Sequence, residues 1–93
     1  MNVIISSLLN FSASPHLRTY LQRLLNANCE TSFYDCLILV RYCLQENKNN
    51  GASENISIPN FQDLEELELK KFGLKSINQG DNLILSLSEN SDQ

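Results

Sequence analysis

The sequence predicts an α+β fold, rich in helix: a helical hairpin, a third helix and a small C-terminal β-hairpin. Three observations carry this reading. Ser32 to Gln45, SFYDCLILVRYCLQ, is the densest apolar stretch of the chain. Ser14-Pro15 precedes a run in which Leu17, Tyr20, Leu21, Leu24 and Leu25 recur at i, i+3, i+4, i+7 and i+8, the stripe of an amphipathic helix. Near the end, Leu83, Leu85 and Leu87 alternate with Ile84, Ser86 and Ser88 behind a turn cluster, Asn78-Gln79-Gly80-Asp81, the pattern of a hairpin strand.

Taken in order, the first element is the most ambiguous. In residues 3–11, VIISSLLNF, the β-branched start favours a strand. Ile4, Ile5, Leu8, Leu9 and Phe11 nevertheless gather on one side of a helical projection, and the balance leans to helix. Ser14 then suits an N-cap and Pro15 the first helical position, where a missing amide costs nothing. The helix predicted for 15–27 turns Arg18, Thr19, Gln22 and Arg23 to water.

The next helix, 32–46, is the predicted centre of the fold. Ten of the residues from Phe33 to Leu44 are apolar or aromatic, which predicts a helix buried nearly all round. A buried strand is the rival, and length decides against it, since about a dozen apolar residues exceed the usual strand. Ser32 can cap the helix by accepting from the amide of Asp35, whose carboxylate adds a favourable dipole contact. The short link from 15–27 makes the two helices an expected antiparallel pair. Residues 46–55, polar and carrying Gly51, are expected to be a loop.

Ile56-Ser57-Ile58-Pro59 has the alternation of a short extended segment, and Pro59 pushes Ile58 out of helical geometry. A third helix is expected over 60–72, capped by Asn60, with Asp63 and Glu65 near its start and Lys70 and Lys71 near its end. Gly73 fits the C′ position beyond it, with Leu74 closing a Schellman-type contact. The hairpin pairs Leu74 to Ile77 with Leu83 to Leu87, and residues 89–93 are expected to fray.

Ninety-three residues with 42% hydrophobic content make one small domain, with no room for a second core. The net charge of −4 is unevenly placed. Three acids (Glu30, Asp35, Glu46) oppose four basic side chains (Arg18, Arg23, Arg41, Lys48) up to residue 53, giving +1; eight acids oppose three lysines beyond it, giving −5. Affinity for a duplex comes mostly from phosphate neutralisation, so this balance argues against nucleic acid as a general partner. The N-terminal residues are apolar but carry no Lys or Arg ahead of the apolar part, and Ser6 and Ser7 interrupt it, unlike a signal peptide. No apolar run approaches the roughly 18 residues that cross a bilayer. The expected location is soluble and intracellular, cytoplasmic in the simplest case, with no membrane contact.

Chemistry is hard to find in the sequence. Cys29, Cys36 and Cys43 fall at intervals of seven and, with His16, match the count of a Cys₃His zinc site. Residues seven apart in a helix are separated by about 10.5 Å along its axis, too far to share an ion bound at about 2.3 Å. The same distance forbids a Cys36–Cys43 disulfide, which needs Cα atoms within about 7 Å. Buried structural thiols are expected, with Cys29 in a turn as the one candidate for reactivity. His16, the only histidine, sits in a helix's first turn, where an exposed role is expected over a catalytic one. Asp63, Glu65, Glu66 and Glu68 form the sole carboxylate cluster, but Glu66 with Lys70 and Glu68 with Lys71 have the spacing of surface ion pairs. No glycine-rich phosphate loop or nucleophile elbow is present. No catalytic residue, metal ligand or cofactor site is predicted.

Residues from Ile56 to Leu87 faintly resemble the swapped-hairpin DNA-binding domains of the AbrB and MazE type, through Ile58-Pro59, Phe72-Gly73-Leu74-Lys75 and Gly80-Asp81. The resemblance implies DNA binding, but the spacing is longer and the segment acidic where that family is basic.

The functional expectation is a non-enzymatic interaction module, a small subunit or adaptor that binds another protein or a second copy of itself. Its motivation is apolar surface beyond what so small a domain hides. The expected contact residues are Ile4, Ile5, Leu8, Leu9 and Phe11; the competing expectation has them complete the core under the C-terminal hairpin. The alternative function is a winged-helix-like regulatory domain binding nucleic acid through Lys70, Lys71 and Lys75, with 60–72 as recognition helix.

Overall fold

The computed structural model describes residues 2–27, 31–59 and 66–88, with the backbone alone described at 2 and 66–68. Its elements are α1 (Asn2–Phe11), α2 (Pro15–Asn26), α3 (Phe33–Asn49), β1 (Asn55–Pro59), α4 (Glu66–Lys71), β2 (Leu74–Gln79) and β3 (Asn82–Leu87). The fold is α+β and rich in helix. Helices α1 and α3 lie against one face of an antiparallel sheet ordered β1-β3-β2.

Helix α1 forms despite its β-branched start because packing outweighs propensity. Ile4, Ile5 and Leu8 are fully buried, while Leu9 and Phe11 pack half-buried on the core. They sit against α2, α3 and β1. Helix α2 begins as its sequence requires, with Ser14 extended at the N-cap and its hydroxyl accepting from the amide of Leu17, and Pro15 in the first turn. Leu17 and Leu21 are buried and Leu24 and Leu25 partly so. Tyr20, expected on the same stripe, is half exposed.

Helix α3 also starts where predicted, Ser32 accepting from the Asp35 amide at 3.1 Å. Its burial is one-sided. Cys36, Leu37, Val40, Cys43, Leu44 and Asn47 face the core, the single stripe of a surface helix. The expectation of a helix buried all round is therefore corrected: Tyr34, Ile38 and Tyr42 are 53%, 52% and 57% exposed. The helix also runs three residues beyond the predicted end at 46. Asn47 points into the core and is fully buried, so the polar stretch from Glu46 contributes another turn before Gly51, at φ 71°, ends it.

The sheet is anchored by β3, whose Leu83 and Leu85 pair with Ile58 and Ile56 of β1 on the core face. The segment read as merely extended is thus a true edge strand, its alternation of exposed and buried residues unbroken, with Pro59 at its end where no ladder amide is needed. On the other side β2 pairs with β3 through Leu74 and Leu87. The hairpin turn is tighter than the four residues expected. Gln79 pairs with Asn82, leaving Gly80-Asp81 as a two-residue loop, Gly80 at φ 74°. The Asn78 side chain accepts from the Gly80 amide at 3.0 Å.

Of the expected third helix 60–72, the described part is α4; the proposed Asn60 cap and the acids Asp63 and Glu65 lie outside the described residues. So do Cys29, the side chains of Glu66 and Glu68, and the tail 89–93. Gly73 follows α4 at φ 73° and donates to the Lys70 carbonyl at 3.0 Å, as its predicted C′ role requires. The next residue, Leu74, is fully buried.

Candidate interaction face

The exposed side of α3 gathers what the core does not take. Tyr34, Ile38 and Tyr42 fall at i, i+4 and i+8, so they form one ridge, about 12 Å long at the helical rise. The ring of Tyr34 stacks on Phe72, just beyond α4, with centroids 5.9 Å apart and planes 27° apart. This contact ties the end of α4 to α3.

Two grooves flank the ridge and share Tyr42. On one side a groove of about 450 Å³ runs between α3 and the end of α4, lined by Ile38, Arg41, Tyr42, Lys70, Lys71, Phe72 and Gly73. Among the described residues, its lining carries three cations and no carboxylate. Arg41 lies close over Gly73: a β-carbon placed there would come 2.7 Å from the Arg41 Nε. The left-handed backbone favours glycine there, and a β-carbon would in addition move the exposed end of the Arg41 side chain aside. On the other side a groove of about 580 Å³ separates α3 from α2, with His16, Leu17, Tyr20, Leu39 and Glu46 in its walls.

A third, broader groove of about 820 Å³ joins α3 to the outer face of the sheet. Arg41, Lys48 and Lys75 line it together with Glu54. Lys75 stands in one register row with Ser86 and Asn55, all three on the face opposite the core. Lys70 and Lys71 thus share a groove with Arg41, while Lys75 belongs to its neighbour, also bordered by Arg41.

The other residues expected to form a contact surface sit elsewhere. Ile4, Ile5 and Leu8 are enclosed by the chain's own core, and only Leu9 and Phe11 keep part of their surface. The competing expectation, that this segment completes the core, describes where those side chains lie. Among the described residues, large apolar side chains stay exposed at Val3, Tyr20 and Ile77 as well, but three, Tyr34, Ile38 and Tyr42, share one side of α3, the helix that residue counting along the sequence treated as all core. Position along the helix held the missed signal. Arg41, Gln45 and Lys48 recur at i, i+4 and i+7, marking the wet side, and Tyr34 and Ile38 continue that side backwards.

The thiols are placed for packing. Cys36 and Cys43 are reduced and fully buried on the core side of α3. Burial pushes both above the ordinary thiol value, and for Cys43 a hydrogen bond with Ser12 opposes part of that rise. His16 is exposed in the first turn of α2. Among the described residues, no three His, Cys, Asp or Glu side chains come together as a metal site, and no helix is long and apolar enough to cross a membrane.

Comparison with models of known protein families, with curated proteins and with solved structures finds no match for this chain. The faint likeness of 56–87 to swapped-hairpin DNA-binding domains consequently carries no argument.

Proposed function

We infer that this chain is a non-enzymatic interaction module, a small subunit or adaptor, and that it meets another protein through the exposed side of α3. The observation that carries this reading is the ridge of Tyr34, Ile38 and Tyr42, three large side chains each more than half exposed on a helix whose other side is core. Tyrosine and arginine are the residues interfaces favour, and Arg41 stands beside the ridge. Removing Tyr34 and Tyr42 from water on binding needs little ordering, because both are already fixed at the backbone by a helix and Tyr34 is held by Phe72.

The test compares the wild-type chain with an Ile38→Ser, Tyr42→Ser variant that keeps the Tyr34 stack on Phe72, both used as bait in cells of the native source. The variant is expected to keep its helix content and melting temperature to within a few degrees, because the residues changed face water. A protein retained by the wild type and lost from this folded variant supports the reading. Recovery of the same set of proteins by both baits overturns it.

A further inference from the structure

We propose that the segment docking on α3 is acidic: an amphipathic helix of a partner protein, apolar on the side that meets Ile38 and Tyr42, with Asp or Glu beside them over Arg41, Lys70 and Lys71. This rests on the interaction reading above and adds the chemistry of the partner. The chain as a whole carries −4, yet three of its seven basic residues, Arg41, Lys70 and Lys71, line one groove beside the ridge. Like charges held together repel one another, and among the described residues no carboxylate lines this groove to offset them. An incoming carboxylate row is what that groove complements, and it would set the partner's orientation as well as its encounter rate. The opposite groove contains Glu46 and no basic side chain other than His16, so the partner's acidic side is directed towards α4 and not towards α2.

The ridge fixes the shape of the occupant. Ile38 lies at its centre, flanked by Tyr34 and Tyr42 at one-turn intervals, so two turns of a helix laid along α3 match its length. Aromatic rings beside cations also suit single-stranded nucleic acid. Here the middle position is aliphatic and the Tyr34 ring is already stacked on Phe72, so little continuous stacking surface remains for bases.

The experiment uses the full chain and labelled designed helices: one with Leu on one side and Glu on the other, one with Lys replacing every Glu, and a single-stranded oligonucleotide. The Leu/Glu helix is expected to bind at least about tenfold more tightly than the Leu/Lys helix, and to weaken as salt is raised. A Lys70→Glu, Lys71→Glu variant, folded by circular dichroism, is expected to reverse the preference. Equal binding of both helices, lost in an Ile38→Ser, Tyr42→Ser variant, overturns the acidic assignment and leaves the interaction face standing. No binding of either helix, with no effect of the Ile38→Ser and Tyr42→Ser changes in the bait experiment, overturns both readings. Tighter binding of the oligonucleotide, sensitive to the same lysines, overturns the proposal in favour of nucleic acid. A dimer whose formation depends on Ile38 overturns it in favour of a second copy.

Discussion

The side chain of Asn47 holds the backbone amide of Ala13, 34 residues away in sequence, accepting from it at 2.9 Å. The same amide group donates to the carbonyls of Phe11, at 3.2 Å, and Ser53, at 3.0 Å. One buried side chain therefore ties the end of α1, the link into α2 and the approach to β1 to the last turns of α3. Its own carbonyl accepts from Ala52 at 2.7 Å, closing the helix end.

Replacing Asn47 leaves three partly buried backbone groups, at Phe11, Ala13 and Ser53, without their partner. Asn47→Ala is expected to lower stability by about 2 to 4 kcal/mol, and Asn47→Leu, which fills the volume but pairs nothing, by a similar amount. Urea unfolding followed by circular dichroism measures the midpoint. A loss under about 0.5 kcal/mol for both would mean that water replaces the side chain without penalty.

Gly73 and Gly80 both have left-handed backbone, but their surroundings differ. Space around Gly80 is open, whereas at Gly73 a new β-carbon meets Arg41. Asn tolerates this backbone region better than other residues. Gly80→Asn is accordingly expected to be nearly neutral, and Gly73→Asn to cost roughly 0.5 to 1 kcal/mol more, because the exposed end of Arg41 must move aside. Paired thermal melts distinguish the two; equal melting temperatures would show that Arg41 yields freely.

Leu8 and Ile38 are both aliphatic residues on helices, and one is core while the other is half exposed. Leu8→Asp buries an unpaired carboxylate and is expected to abolish cooperative folding. Ile38→Asp is expected to leave the far-ultraviolet spectrum and elution volume unchanged. Phe11→Asp, at a half-buried position, should fall between them. Unfolding of the Ile38 variant would place that residue in the core.

Cys36 and Cys43 are raised above the ordinary value of 9.0 by burial. Above that value the unfolded chain releases these protons while the folded chain keeps them, so stability falls as pH rises from about 9. Below it both states hold the proton and the thiols add no slope. Denaturant midpoints at pH 8 and pH 10 for a Cys29→Ser chain, against one with Cys36→Ala and Cys43→Ala added, measure the share due to these thiols. In the Cys29→Ser chain a thiol reagent is expected to react only as the protein unfolds; stoichiometric labelling of the native state would show that the core side of α3 opens readily.

Local chemistry made the helix starts legible. Ser14-Pro15 and Ser32 with Asp35 are capping signals confined to four residues, and each stands where it was read. Gly73 beyond α4, the alternation at Ile56 and Ile58 and the Gly80 turn belong to the same class, because backbone geometry at those positions depends on neighbours along the chain. The sequence by itself therefore determined the α+β class and the register of alternation in β1 and β3. Tertiary structure decided what depends on distant groups. Asn47 reads as the start of a polar loop until the amide of Ala13 and the carbonyls of Phe11 and Ser53 surround it. Ile4, Ile5 and Leu8 read equally as surface or core until α2, α3 and β1 close over α1. Tyr34, Ile38 and Tyr42 stand in the same run of aromatic and apolar residues as their buried neighbours, and burial is a property of the face a neighbour covers, which no count of residues along α3 contains. The core takes one side of that helix, and the side it leaves is where the protein's function is proposed to lie.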